Sequence, residues 1–188
     1  MSFYDIYSQN KNFDLEKSFK LASTAAIQDI LLQDNLNLTQ FVSLLSGEAQ
    51  NNLESMAQKA QAVTRRHFGN IVQLYTPMYL SNYCDNSCLY CGFNLNNDIK
   101  RRTLTLEEVE KEAQFISSSG LKQILILTGE SRIMSPVSYI QDCVKLLKKY
   151  FTSISLEVYS LTEDEYAQLV DQGVDGLTIY QEVYDEQL

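Results

Sequence analysis

After Gly69 the chain alternates between two hydrophobic periodicities, and this alternation restricts the fold more than any other feature. "IVQLYTPMYLSN" (71–82) is extended and rich in β-formers. "TLTLEEVEKEAQFISSSG" (103–120) follows a helical period, with Thr105 as N-cap, acids in the first turn and Gly120 as a stop. "LKQILILTGE" (121–130) is a short continuous apolar run, the pattern of a parallel strand buried on both faces. "SPVSYIQDCVKLLKKY" (135–150) predicts an amphipathic helix with lysines in its last turn, and "FTSISLEVYS" (151–160) alternates as a strand. "LTEDEYAQLVDQG" (161–173) is a capped helix, and "VDGLTIYQEV" (174–183) a further strand. Four strands separated by three helices predict an α/β fold of parallel strands joined by right-handed crossovers.

Residues 1–70 carry no strand signal. Phe19, Leu21, Ala22, Ala25, Ala26, Ile30, Leu31 and Leu32 form one broad helical stripe. "LNLTQFVSLL" (36–45) predicts a short helix capped by Thr39, and "EAQNNLESMAQKAQAVTRRHF" (48–68) a longer one ending near Gly69. The expected organisation is an N-terminal helical segment, 1–70, followed by the first half of a (β/α) TIM-like barrel, 71–188. A closed barrel takes roughly 200 residues or more, so the expectation is a barrel left incomplete after its fourth strand.

The formal charge of −9 argues against sequence-blind nucleic-acid binding, since no net positive field exists to displace counterions from phosphates. "TRRHF" (64–68) and "IKRRT" (99–103) read as short solvated islands. The first 19 residues are mixed and acidic rather than a secretory signal, and no apolar run reaches the ~18–20 residues of a membrane span. The expected compartment is the cytoplasm, where clustered cysteines serve better as metal ligands than as disulfides.

In barrels of this kind chemistry sits at the carboxyl ends of strands. Four features fall there: the cysteines of "YLSNYCDNSCLYCGF" (79–93), "TGE" (128–130), Ser160 and "YQEV" (180–183). Cys84, Cys88 and Cys91 at i, i+4 and i+7 would share one face of a helix, and so could be a buried stripe. Asp85, Asn86, Ser87 and Gly92 are turn formers and oppose that reading. A structural zinc site needs a fourth donor. Cys143 belongs to the core stripe Ile140, Cys143, Val144, Leu147, and His67 sits where a helix-end cation helps cap carbonyls, so neither is well placed. Three thiolates suit a 4Fe–4S cluster, one per iron, with the fourth iron open to a small molecule.

Strand alternation also nominates residues. Ser155, Glu157 and Tyr159 face the barrel interior while Ile154, Leu156 and Val158 meet the helices. A carboxylate such as Glu157 must find a partner or a ligand hydroxyl there, unless it is a solvated edge residue. On the last strand Thr178, Tyr180 and Glu182 point inward, Leu177 and Ile179 outward.

"CDNSCLYC" (84–91) is the CxxxCxxC pattern of the radical S-adenosylmethionine (SAM) superfamily. Together with "VTRRHFGN", "IKRRTL", "LTGE", "LEVYSLTEDEYAQL" and "GVDGLTIYQEVYDE", it makes the chain resemble the 2-iminoacetate synthases, tyrosine lyases of bacterial thiamine-thiazole synthesis. The likeness covers nearly the whole chain, and members of that family continue for about as many residues again. It implies a radical SAM barrel with Cys84, Cys88 and Cys91 as ligands of a 4Fe–4S cluster and SAM chelated at the open iron. It implies Tyr90 near the adenine, Gly129 and Glu130 at the methionine ammonium, and Tyr180, Gln181 and Glu182 near the substrate. Thr128 stands where the common motif has a first glycine. The implied reaction cleaves the Cα–Cβ bond of L-tyrosine to 2-iminoacetate and p-cresol through a 5′-deoxyadenosyl radical. The implied partners are thiazole synthase and a reducing donor such as flavodoxin or ferredoxin. The hydrogenase-maturation tyrosine lyase and a catalytically inactive iron–sulfur fragment are the rival readings.

Overall fold

The computed structural model describes residues 2–180, so the expected Gln181 and Glu182 and the end of the last strand lie outside the described residues. Two compact units are present, Met1–Ile71 and Val72–Leu188.

The first unit is helical: α1 (Phe3–Asn10), α2 (Leu15–Leu21), α3 (Thr24–Leu31), α4 (Leu38–Ser43), a 3-10 segment (Gly47–Asn52) and α5 (Leu53–Phe68). The broad stripe expected through residues 19–32 is broken in two. Ser23 accepts the Ala26 amide on its side chain and starts a new helix, leaving Ile27 and Ile30 buried but Leu21 and Leu32 exposed. Thr39 does not cap α4. Asn37 does, in a capping box with Gln40, because an amide side chain two residues earlier reaches the first free N–H groups.

The second unit alternates β1 (Tyr75–Ser81), α6 (Leu106–Ser118), β2 (Gln123–Thr128), α7 (Val137–Leu147), β3 (Ser153–Glu157), α8 (Glu163–Gln172) and β4 (Gly176–Leu177). The strands form one parallel sheet in the order β1-β2-β3-β4. Each strand pairs with its sequence neighbour and the order never reverses. Right-handed crossovers then put every helix on the same face, which is the winding of a barrel and not of a doubly wound sheet. Met78, Leu80, Ile124, Ile126, Ile154 and Leu156 supply the helix-facing side of the core. They meet Val109 and Ala113 of α6, Ile140, Cys143, Val144 and Leu147 of α7, and Leu169 of α8.

The helices are stopped and started as their ends dictate. Thr105 with Glu108, and Thr162 with Glu165, form reciprocal capping boxes. Gly120 and Gly173 take positive φ (91° and 113°) where the chain leaves α6 and α8.

Three strand expectations need correction. β1 begins at Tyr75, leaving Ile71, Val72 and Leu74 exposed. β2 is only partly buried on its second face: Ile124 and Ile126 are buried on one side, whereas on the other Leu127 is buried but Gln123 and Leu125 are only partly covered. β3 stops at Glu157 and β4 at Leu177, so alternation fails beyond those points. Tyr159 lines the cleft described below, as expected, but is buried, with its hydroxyl donated to the Ser135 carbonyl at 2.6 Å; Val158 and Ile179, expected outside, line the cleft as well.

Candidate functional site

The carboxyl ends of all four strands open into a cleft of about 470 Å³, within the ~300–1,000 Å³ usual for small-molecule sites. Its construction starts at the end of β1. The pairing of β1 with β2 slips by one residue between Tyr79 and Ser81, a bulge that turns the chain out of the sheet. The 20 or so residues that follow contain no helix or strand, and all three clustered cysteines lie in them. The helical-stripe reading of these cysteines is thereby overturned, because Asp85, Asn86 and Ser87 do not continue a helix.

An irregular loop needs partners for its backbone groups, and this one has them. Its base is closed where the returning chain pairs with β1: Leu104 N–H donates to Leu80 O (2.8 Å), Asn82 N–H to Arg102 O (3.2 Å), and the hydroxyls of Ser81 and Thr103 share a bond of 2.9 Å. Its body is organised by Arg101. One guanidinium donates to the carbonyls of Asn82 (2.7 Å), Phe93 (2.7 Å), Asn94 (2.6 Å) and Asn97 (3.4 Å). The "IKRRT" segment is therefore not a solvated island; Arg101 is a partly buried internal clasp. Asparagines complete the loop, with Asn94 Nδ2 donating to Cys88 O (2.9 Å) and Asn97 Nδ2 to Cys91 O (3.2 Å). These bonds fix the carbonyls of two of the three cysteines.

Cys84, Cys88 and Cys91 are partly exposed and all line the cleft. Among the described residues, no three His, Cys, Asp or Glu side chains converge closely enough to hold a single metal ion. A cubane asks for a different arrangement, one thiolate for each of three irons, so its donors spread around a wall and need not meet at a point. Three half-exposed thiols on one wall, with their loop backbone fixed, suit that donor set. Cys143 is not a fourth member. It is fully buried in the core beside Tyr139, and burial pushes its thiol up to about 11.

Packed against the cysteine loop, the chain leaving β2 delivers Gly129 and Glu130. The glycine is a matter of space: a Cβ there would stand 2.2 Å from the Tyr83 carbonyl oxygen and 3.1 Å from Cys84 Cβ. This close approach lets Gly129 N–H donate to Ser81 O and Asp85 N–H to Glu130 O, both at 2.9 Å. Glu130 Oε2 also accepts from Asn86 Nδ2 at 2.7 Å. The end of β3 adds Glu157, the segment after it Ser160, and the segment after β4 Thr178 and Tyr180. Tyr79 and Phe93 enclose one side in an edge-to-face contact (5.5 Å, 86°).

The loops after β2 and β3 are stitched together outside the cleft. Arg132 donates to Glu165 Oε1 (2.7 Å) and Ser160 O (2.9 Å), and its guanidinium lies 5.0 Å from the centroid of the Tyr159 ring. The bonds from Arg132 and the Thr162 amide hold the Glu165 carboxyl down at about 2.

Of the residues nominated from the sequence, Cys84, Cys88, Cys91, Gly129, Glu130, Glu157 and Tyr180 thus share one cleft. Tyr90 does not line it and is 71% exposed on the loop. Asn86, Tyr79 and Phe93 line it without having been nominated. Asn86 was legible only as a turn former, since its partner lies 44 positions away.

The Radical SAM superfamily model matches residues 78–188. Over 185 residues the chain is 37% identical to the 2-iminoacetate synthase of Escherichia coli (strain K12), an overlap covering 98% of this chain and 49% of that protein. It is 29% identical over 149 residues to the 3-methylornithine synthase of Methanosarcina barkeri (strain Fusaro / DSM 804), covering 78% and 42% of the two chains. The crystal structure of HydG, a maturase of the FeFe-hydrogenase, superimposes with a TM-score of 0.83 at 28% identity, over 91% of this chain and 40% of that one. The chain spans about half the length of the curated relatives it matches.

Proposed function

We propose, for a chain that belongs to the radical SAM superfamily, that it forms the cluster- and cofactor-binding half of a lyase cleaving the Cα–Cβ bond of L-tyrosine to 2-iminoacetate and p-cresol. The observation that carries the reading is the shared cleft: three cysteines of one loop, Gly129–Glu130 packed against that loop, and Glu157 and Tyr180 from the neighbouring strand ends. Identity to the E. coli 2-iminoacetate synthase along 98% of the chain supports the choice of reaction.

In this reading Cys84, Cys88 and Cys91 would hold a 4Fe–4S cluster, which would supply one-electron reductive chemistry to SAM bound in the same cleft. The chain's own residues do the rest. Glu130 offers a carboxylate to the cofactor's ammonium, at a strand end where Gly129 admits the backbone close to the cysteine loop. Glu157 accepts hydrogen bonds from the ribose hydroxyls. Tyr90, which the resemblance would set at the adenine, stands outside the cleft and takes no part in this reading, whereas Tyr180, followed in the chain by Gln181 and Glu182, borders the substrate. Tyr79 and Phe93 wall off water and other hydrogen donors from the cleft. A flavodoxin or ferredoxin delivers the electron, and thiazole synthase consumes the unstable imine in a cytoplasmic pathway to thiamine.

Anaerobic reconstitution followed by incubation with SAM, dithionite and tyrosine tests the reaction. The expected result is p-cresol formed together with 5′-deoxyadenosine. Deoxyadenosine whose yield is indifferent to tyrosine, with no p-cresol, would overturn the substrate assignment. Carbon monoxide and cyanide alongside p-cresol would move it to the hydrogenase-maturation reaction.

A further inference from the structure

We infer that Asn86 is a positioning residue that aims the Glu130 carboxylate and so couples the cysteine loop to the ammonium end of the cofactor. The inference rests on the reading of the cleft proposed above and deepens it. Glutamate has three side-chain torsions, and a carboxylate in an open cleft would sample many orientations. Among the described residues Asn86 is the one whose side chain hydrogen-bonds Glu130, through Nδ2 to Oε2 at 2.7 Å. The adjacent Asp85 N–H bonds the Glu130 carbonyl at 2.9 Å, so residues 85 and 86 hold the same glutamate at main chain and side chain together. Asn86 cannot swing away freely, because its own carbonyl accepts the Leu95 amide at 2.8 Å.

The chemistry of the donor matters as much as the distance. A neutral amide occupies one carboxylate oxygen and leaves the full negative charge for a cation at the other, whereas a lysine at this place would neutralise it. Asn86 also stands between Cys84 and Cys88. Whatever fixes those two thiolates therefore fixes the amide, and through it the carboxylate 44 residues further along the chain.

The test compares reconstituted wild-type protein with Asn86→Ala, Glu130→Ala and the double variant, measuring iron content, thermal midpoint and SAM affinity by equilibrium titration. Asn86→Ala is expected to keep its iron, to melt with wild-type protein, and to weaken SAM binding about tenfold. In the Glu130→Ala background the same change is expected to add nothing, because Asn86 acts through Glu130 alone. Asn86→Ser keeps a turn-forming side chain too short to reach Glu130, and must reproduce the alanine result if alanine misfolds. A further loss of affinity in the Glu130→Ala background overturns the inference by making Asn86 a direct ligand contact. Loss of iron in both Asn86 variants overturns it by assigning the residue to cluster assembly. Wild-type protein that fails to bind SAM breaks the underlying family reading, whereas wild-type binding with unaltered Asn86→Ala affinity breaks only this inference.

Discussion

Replacing Gly129 by alanine probes the closest approach in the cleft. The added methyl carbon would sit 2.2 Å from Tyr83 O and 2.9 Å from Tyr83 C, and both of these are backbone atoms that cannot rotate away. Relieving the overlap requires the strand end and the cysteine loop to part by nearly 1 Å, on the scale of ordinary carbon–oxygen contact. Two hydrogen bonds of 2.9 Å bracket the contact, Gly129 N–H to Ser81 O and Asp85 N–H to Glu130 O, and such a movement stretches both. The expected cost is that of an overpacked site with little freedom to relax, about 1–3 kcal/mol. For a chain of this size, that corresponds to a fall in thermal midpoint of about 2–12 °C. Urea denaturation of the metal-free protein under anaerobic conditions measures it without involving the cluster. Gly92→Ala is the control, because Gly92 also lines the cleft but has open space around its missing Cβ, and it is expected to behave as wild type. Gly176→Ala stands between the two: its added methyl meets the Ser155 hydroxyl at 2.2 Å, an atom that can turn aside. If Gly129→Ala matched Gly92→Ala in stability and in subsequent iron incorporation, the argument that close packing joins the strand end to the loop would be wrong.

Arg101→Met keeps the aliphatic stem but strips donors from four loop carbonyls, and is expected to cost about 1.5–3 kcal/mol, the scale of a charged hydrogen bond. Lysine at this position should recover only part of the loss, since an ammonium lacks the planar fork; urea melts and iron content check both. The Glu165 carboxyl is depressed in the folded state to about 2, so the stability it contributes is present above the ordinary carboxylate value. That contribution is lost as pH falls through the interval down to about 2, and Glu165→Gln should flatten that part of a stability-against-pH curve. Alkylation of the native metal-free protein with iodoacetamide should modify Cys84, Cys88 and Cys91 while sparing Cys143, whose thiol is buried and raised to about 11; peptide mass spectrometry reads the four sites separately.

Much of this architecture is legible in the order of residues because the information is local. Thr105 with Glu108 and Thr162 with Glu165 are capping boxes spelled out within four residues, and the structure forms both. The helix-facing side of the sheet follows from period-two alternation, which places Ile154 and Leu156 in the core. The rule fails where the strand stops making regular hydrogen bonds, hence the misassigned Ile179. The cysteine spacing identifies the loop, but not what holds it. Arg101 bonds carbonyls up to 19 positions away, and Asn86 finds Glu130 only after the sheet has formed. Neither distance leaves a trace in a local pattern, so a clasp and a positioning amide both resemble ordinary surface polarity. The N-terminal stripe shows the converse failure. Residues 19–32 have a helical period, yet a single serine cap divides them, because a local side-chain bond to a free amide competes with continuation of the helix.

The proposed function requires Cys84, Cys88 and Cys91 to hold a 4Fe–4S cluster that SAM can reach. Electron paramagnetic resonance of the reduced, anaerobically reconstituted protein, recorded before and after addition of SAM, addresses that claim directly. The expected result is a 4Fe–4S signal that changes shape when the cofactor is added and disappears in a Cys84→Ala, Cys88→Ala, Cys91→Ala triple variant. A sample without a cubane signal, or with one that SAM leaves unaltered, would contradict it.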